Sequence, residues 1–140
     1  PVRWIDQGAE LAAPIARVPY RQLAGAIECD LKRLFADRTQ WRAMLETAGP
    51  SVDALLAARE KAIAETDPAL RKWMLADEPV TRLVYPLPVI AHKLVNVQLD
   101  KLPEVEGRLL GVKGQYLVWA DGRVLNVRNH AGYHVELDRE

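Results

Sequence analysis

Three kinds of side chain in this sequence could do chemistry by their type and spacing: a carboxylate on an amphipathic helix, a scatter of arginines and lysines, and aromatic rings on a strand. Glu28 is the carboxylate. On a helical wheel it lies about 100° from Ile27, at the margin of the apolar stripe formed by Leu23, Ile27, Leu31 and Leu34, with Arg21 and Lys32 close by. A carboxylate there is half sheltered and half reachable. Alternatively, Glu28 and Lys32 form the ordinary exposed pair of residues four apart on a helix, worth about 0.2–0.5 kcal/mol. Arg3 stands beside Trp4, which is also the arrangement of a surface cation near an aromatic ring.

The second group lies near the C-terminus. Tyr116 and Trp119 fall on opposite faces of one strand, so one is expected in the core and the other exposed or covered by another segment. An exposed ring beside Arg108, Lys113, Arg123 or Arg128 could stack a base, as small barrels do on single strands. Asn126 and Arg128 point the same way, with Val127 opposed, giving a polar stripe that is either a contact surface or a solvated face. His92, His130 and His134 lack a zinc-ligand spacing, and the single cysteine, Cys29, is expected to pack as a helix thiol.

Composition narrows the classes. Nineteen basic and nineteen acidic residues cancel, so no global field argues for nucleic acid or membrane. Basic excess is only local: six bases against three acids from Arg17 to Arg42, and four against two from Val105 to Val135. One cysteine excludes an internal disulfide and a cysteine-rich zinc site within the chain, and points to a reducing compartment. No apolar run approaches the roughly 20 residues of a membrane span and no signal-peptide pattern is present, so the expectation is a cytoplasmic protein with no membrane partner.

The elements that must position these residues follow from periodicity and turn chemistry. Val2 to Gly8 reads as a helix tail with a glycine cap, and Ala13 to Val18 as a short strand. Pro19 opens the Glu28 helix, with Ala24 and Phe35 widening its stripe. After a break at Asp37 to Gln40, Trp41 to Ala48 forms a short helix ending at Gly49-Pro50. Ser51 caps the next helix, whose apolar face is Val52, Leu55, Leu56 and Ile63; Asp67-Pro68 ends it and starts another, running to about Ala76. Thr81 to Tyr85 and Leu94 to Leu99 read as strands, as does Val105 to Val112. Gln115 to Ala120 and Arg123 to Arg128 form a hairpin about Asp121-Gly122, and a last strand has Tyr133, Val135 and Leu137 on one face. The fold class is therefore α+β: an N-terminal helical part followed by a small antiparallel β-barrel or curled sheet. The blocks expected are 1–42, a helical arm at 43–78, and 79–140.

The order Arg-Trp-Ile-Asp-Gln-Gly, short strand, then helix with Glu28-Cys29-Asp30-Leu31-Lys32 resembles the second half of a GIY-YIG nuclease domain. That resemblance implies that Arg3 stabilises a scissile phosphate and that Glu28 holds a divalent metal such as Mg²⁺, a pairing suited to phosphodiester hydrolysis. The whole chain is similar to a prokaryotic domain-of-unknown-function family, number 2797, related to that superfamily. The likeness rests on Arg3 to Ala9 (RWIDQGA), Pro103 to Leu117 (PEVEGxLLGxKGQYL) and Asn126 to Tyr133 (NxRxxxGY). Family members carry a cysteine-rich zinc segment and the GIY-YIG hairpin ahead of the point where this chain begins. The sequence thus reads as a C-terminal fragment that does not cleave by that mechanism alone.

Two functions remain open. One is a nucleic-acid-associated protein that holds DNA or RNA through Arg21, Lys32, Lys113, Tyr116, Arg123, Asn126 and Arg128. The other is a non-enzymatic interaction module whose helical arm docks a protein partner.

Overall fold

A computed structural model describes residues 2–36, 38–46, 49, 51–88, 90 and 93–138. Asp37, Ala48, Pro50 and His92, each used in the sequence reading, lie outside the described residues. The chain is α+β and divides into two compact units that interleave along the sequence.

The first unit is formed by the described residues of Ala9–Trp41 and Ala48–Val84. Its helices are α2 (Arg21–Leu31), α4 (Val52–Glu65) and α5 (Pro68–Arg71). Strand β1 (Leu11–Ala12) pairs antiparallel with β2 (Thr81–Arg82), and Ala16 bridges Met74. The expected strand at Ala13 to Val18 is thus reduced to that single bridge, with β1 just before it. Ile27, Leu31 and Ala62 are buried together, and Ile15, Val18, Leu34, Leu70, Trp73 and Met74 pack around them. The 3.6 period of α2 therefore found the correct face. On α4 the deeply buried residue is Ala62, while Val52, Leu55, Leu56 and Ile63 are only half-buried. A hydrophobicity count passes over an alanine, yet its small side chain is what fits against Ile27 and Leu31.

The caps are those the residue types require. Ser51 Oγ accepts from Ala54 N at 3.4 Å, and Asp67 Oδ1 accepts from Ala69 N at 2.8 Å with Pro68 opening the turn. Helix α5 stops at Arg71, short of the expected Ala76. Arg71 instead turns back, donating to Ala64 O (3.0 Å) and Thr66 O (3.1 Å) near the C-terminal end of α4. Asp30 joins two elements: its carboxylate accepts from Asp67 N at 2.9 Å and from Arg33 Nε at 3.3 Å. The Asp67 backbone N–H, with Arg33 assisting against partial desolvation, holds the Asp30 carboxyl below its ordinary value.

The second unit comprises the described residues of Pro1–Gly8, Arg42–Thr47 and Tyr85–Glu140. Helix α1 (Val2–Asp6) stops ahead of Gly8, as expected, and α3 (Trp41–Glu46) enters this unit at Arg42. Strands β3 (Val95–Val97), β4 (Leu109–Lys113), β5 (Tyr116–Trp119) and β6 (Arg123–Asn126) form one sheet in the order β3-β6-β5-β4. The pairs β4·β5 and β5·β6 are antiparallel, but β3 runs parallel to β6, so the sheet is mixed. It leaves β3 and β4 at opposite edges, and no closed barrel is found among the described residues.

Two turns set the register. Lys113 lies opposite Tyr116, so Gly114-Gln115 is a two-residue loop, and Gly114 with φ +58° fits the first position of a type II′ turn. A Cβ there would also stand 2.4 Å from Asp6 O. The second hairpin falls where Asp121-Gly122 marked it, yet the register Val118↔Val124 places Ala120, Asp121 and Gly122 all in the loop, one residue more than the dipeptide signal implies. Gly111 has a different duty. A Cβ on it would lie 2.1 Å from Pro86 O, because residues 86–87 cross β4 closely enough for Val112 N to donate to Pro86 O at 3.1 Å.

One face of the sheet is core: Lys113, Tyr116, Val118 and Val124 are buried on it. On the other, the opposed pairs Val112↔Leu117 and Leu117↔Leu125 are only half-buried. The expected strand at Tyr133 to Asp138 is not formed. After Asn126 the chain enters a 3-10 helix (Val127–His130), capped by Asn126 Oδ1 accepting from Arg128 N at 3.1 Å. Tyr133, Val135 and Leu137 follow, exposed and without a ladder partner among the described residues. Alternation gives a segment two faces, but a strand also needs a neighbouring backbone to bond to.

Candidate functional site

A shallow, open depression lies on the half-exposed face of the sheet. Gln115 sits in the β4–β5 loop, where its N–H donates to Asp6 O at 2.8 Å and its carbonyl accepts from Val127 N at 2.9 Å. These two bonds bring the end of α1 and the start of the 3-10 helix to either side of the Val112–Leu117 pair. The result is a depression of about 530 Å³ lined by Asp6, Val112, Gly114, Gln115, Leu117, Val127 and Arg128. Its lining is mostly apolar, with Asp6 and Arg128 as the two charged residues among the lining residues. Neither the Asp6 carboxylate nor the Arg128 guanidinium forms a hydrogen bond or ion pair among the described residues, and Gln115 Oε1 is buried without a partner.

Of the side chains expected to hold nucleic acid, Arg128 alone lines this depression. It stands on the 3-10 helix, because β6 ends at Asn126, so the two do not form a stripe along one strand. Asn126 spends its side-chain oxygen on the cap. Lys113 is 6% exposed, and its Nζ donates to Met44 O at 2.7 Å, in the last turn of α3. A helix C-terminus presents unpaired carbonyls, and a lysine ammonium satisfies one with favourable charge. Arg123 donates from Nε to Asp121 Oδ2 at 2.7 Å and from Nη2 to Glu106 O. The Arg123 backbone N–H, with its guanidinium, holds the Asp121 carboxyl below its ordinary value.

Both strand aromatics are covered. Tyr116 is 6% exposed on the core face, which leaves its ring no surface on which to stack a base. Trp119 is 8% exposed on the opposite face, where the segment at Gly107 closes over it; a Cβ there would lie 3.4 Å from its ring. Of the two outcomes expected for the ring outside the core, exposed or covered by another segment, Trp119 takes the second, because this end of the sheet is covered on both sides.

Arg3 is exposed on α1. Arg21, Glu28 and Lys32 belong to the helical unit and are exposed; Glu28 Oε1 lies 3.7 Å from Lys32 Nζ, the ordinary pair four residues apart. Cys29, expected to pack, is exposed. Among the described residues no three or more His, Cys, Asp or Glu side chains gather where they could hold a metal ion, and no helix is long and apolar enough to cross a membrane.

His130 fastens the 3-10 helix to the loop after β3: its Nδ1 lies 3.0 Å from Asn126 O, and Leu99 N donates to its Nε2 at 3.1 Å, so the ring proton sits on Nδ1. Tyr133 packs edge-on against it with ring centroids 5.4 Å apart, and donates its hydroxyl to Asp100, whose carboxylate raises the Tyr133 phenol above its ordinary value. Asp6 and Gln115 were passed over by sequence reasoning. Each lies inside a stretch that carried the family likeness, but neither has a spacing that signals chemistry, and only folding brings them together.

A family model described as "Protein of unknown function (DUF2797)" matches residues 1–135. The chain belongs to this family. The match takes in both compact units of this DUF2797 chain, including all the residues around the depression. No curated protein and no solved structure gives a significant match.

Proposed function

We propose that this DUF2797 chain binds nucleic acid without cleaving it, through the half-exposed face of its four-stranded sheet. The observation that carries this reading is Arg128: a guanidinium without a partner among the described residues, in the mostly apolar lining of a depression. A polynucleotide needs both, a cation for its phosphates and an apolar surface for its bases. Lys113 and Arg123 are committed to internal carbonyls, so they hold the platform in shape rather than contact the ligand. Arg3, exposed on α1 of the same unit, would add a phosphate contact.

With zero net charge the contacts are few, so affinity is modest and falls with salt on a shallow slope set by that small number of phosphate contacts. The likeness to GIY-YIG nucleases gives Glu28 a metal and Arg3 a scissile phosphate. Against that role for Glu28 stands its ion pair with Lys32 and its lack of further carboxylate or imidazole company among the described residues.

Fluorescence anisotropy of labelled single-stranded DNA, duplex DNA and structured RNA, in a salt series with and without Mg²⁺, tests the proposal. Binding at low salt, weakened by Arg128→Ala and indifferent to Mg²⁺, supports it. No binding of any of the three at low salt refutes it.

A second reading is a protein-interaction module. It is favoured by Tyr133, Val135 and Leu137, which expose an apolar row on an extended segment without a strand partner among the described residues. The helical arm, where a docking strip was expected, shows no large exposed apolar side chain on α4 or α5.

A further inference from the structure

The depression on the sheet carries hydrogen-bonding capacity of complementary kinds. Among the residues that line it, Asp6 brings a carboxylate acceptor and Arg128 a planar fork of donors. Val112, Leu117 and Val127 supply apolar surface between them. The depression is open to solvent, and its volume of about 530 Å³ leaves room for one flat ring to lie against the sheet.

The chemistry of the lining selects among ligands. A bare phosphate suits Arg128 but meets a carboxylate and apolar side chains. An aliphatic ammonium suits Asp6 and leaves Arg128 unanswered. A flat heterocycle with a donor edge next to an acceptor edge answers both, and its faces cover the aliphatic side chains. Uracil and thymine have one ring N–H between two carbonyls, a poor match for a carboxylate. Adenine and cytosine each offer a single exocyclic amino group beside a ring acceptor. Guanine has two adjacent N–H donors, N1 and N2, for a two-oxygen carboxylate, and on the neighbouring edge O6 and N7, the usual partners of an arginine fork.

We propose that the depression takes one unpaired guanine base of a bound single strand, with Asp6 on the N1/N2 edge and Arg128 on the O6/N7 edge. This rests on the nucleic-acid reading above and adds a base preference to it.

The test compares a labelled dT 11-mer with the same strand carrying one central dG, dA or dC, at low salt. The dG strand is expected to bind about tenfold more tightly than the other three, the scale of one bidentate contact. Asp6→Asn replaces half the acceptor by a donor and is expected to level the four strands; Arg128→Ala is expected to do so too while weakening all of them. Neither side chain forms a bond in the folded chain, so circular dichroism should show both variants folded.

Equal affinity of all four strands for the wild-type chain overturns the guanine pocket and leaves nucleic-acid binding standing. If no strand binds, the nucleic-acid reading falls, and a ¹⁵N NMR titration with guanosine and uridine 5′-monophosphates decides the pocket. Guanosine-specific shifts at Gln115 and Leu117 keep it as a site for the free nucleotide, and no shifts overturn it. A double variant cycle in which Asp6 and Arg128 prove coupled without ligand would also overturn it, since the two would then be satisfied by each other.

Discussion

Replacing Lys113 by Met separates a structural lysine from a ligand-binding one. The methionine keeps an unbranched stem in the buried site but removes the ammonium that donates to Met44 O at 2.7 Å. A hydrogen bond from a charged donor contributes about 1.5–3 kcal/mol, and a buried carbonyl left unpaired costs about 1–3 kcal/mol. Against this, an ammonium no longer has to be held out of water, which offsets part of the loss. The expected net destabilisation is about 1–2 kcal/mol. With a urea dependence of about 2 kcal/mol/M, the midpoint should fall by roughly 0.5–1 M at unchanged slope. The assay is urea unfolding followed by circular dichroism, with oligonucleotide affinity measured on the same sample. An unchanged midpoint together with lost affinity would refute the reasoning, because it would mean that Lys113 reaches a phosphate instead of the end of α3.

Three further outcomes follow from the packing and the charges. Gly111→Ala drives a methyl to within 2.1 Å of Pro86 O, so it should destabilise by about 1–3 kcal/mol or more, seen as a lower melting temperature, with the loss concentrated where residues 86–87 cross β4. Asn126→Ala removes the cap of the 3-10 helix and should cost about 0.5–2 kcal/mol, with faster amide exchange at Arg128 as the local readout. Asp30 has its folded-state carboxyl lowered from the ordinary 3.8, chiefly by the Asp67 N–H. Its stabilisation is therefore present above that value and lost as the pH falls through the lower folded value. Asp30→Asn should flatten the acid limb of stability below the ordinary carboxyl value of 3.8 and leave the slope near neutrality unchanged, as read by thermal melts on either side of it.

What could be read from the sequence was what a local period or a turn residue determines. The Ile27 and Leu31 face of α2, the Ser51 and Asp67 caps, and the hairpin about Asp121-Gly122 are each specified within a few residues. What escaped was set by partners far along the chain. Alternation at Tyr133 to Asp138 matches that of a strand, but Asn126 and His130 turn the chain into a 3-10 helix before it. Lys113 and Arg123 look like surface cations by type, and only tertiary structure gives them Met44 and Glu106 carbonyls to hold. The site shows the same division. Arg128 was expected on a strand beside Asn126 but stands on the 3-10 helix, and Asp6 and Gln115 come near it because a backbone bond spanning 109 positions, from Gln115 N to Asp6 O, borders the depression.

The measurement that bears most directly on nucleic-acid binding through the sheet is a ¹⁵N NMR titration of the whole chain with an unlabelled single-stranded oligonucleotide at low salt. The account predicts concerted, saturable shifts at Val112, Gln115, Leu117, Val127 and Arg128, reversed by adding salt. Shifts confined to the exposed row at Tyr133, Val135 and Leu137, or no shifts at all, would contradict it.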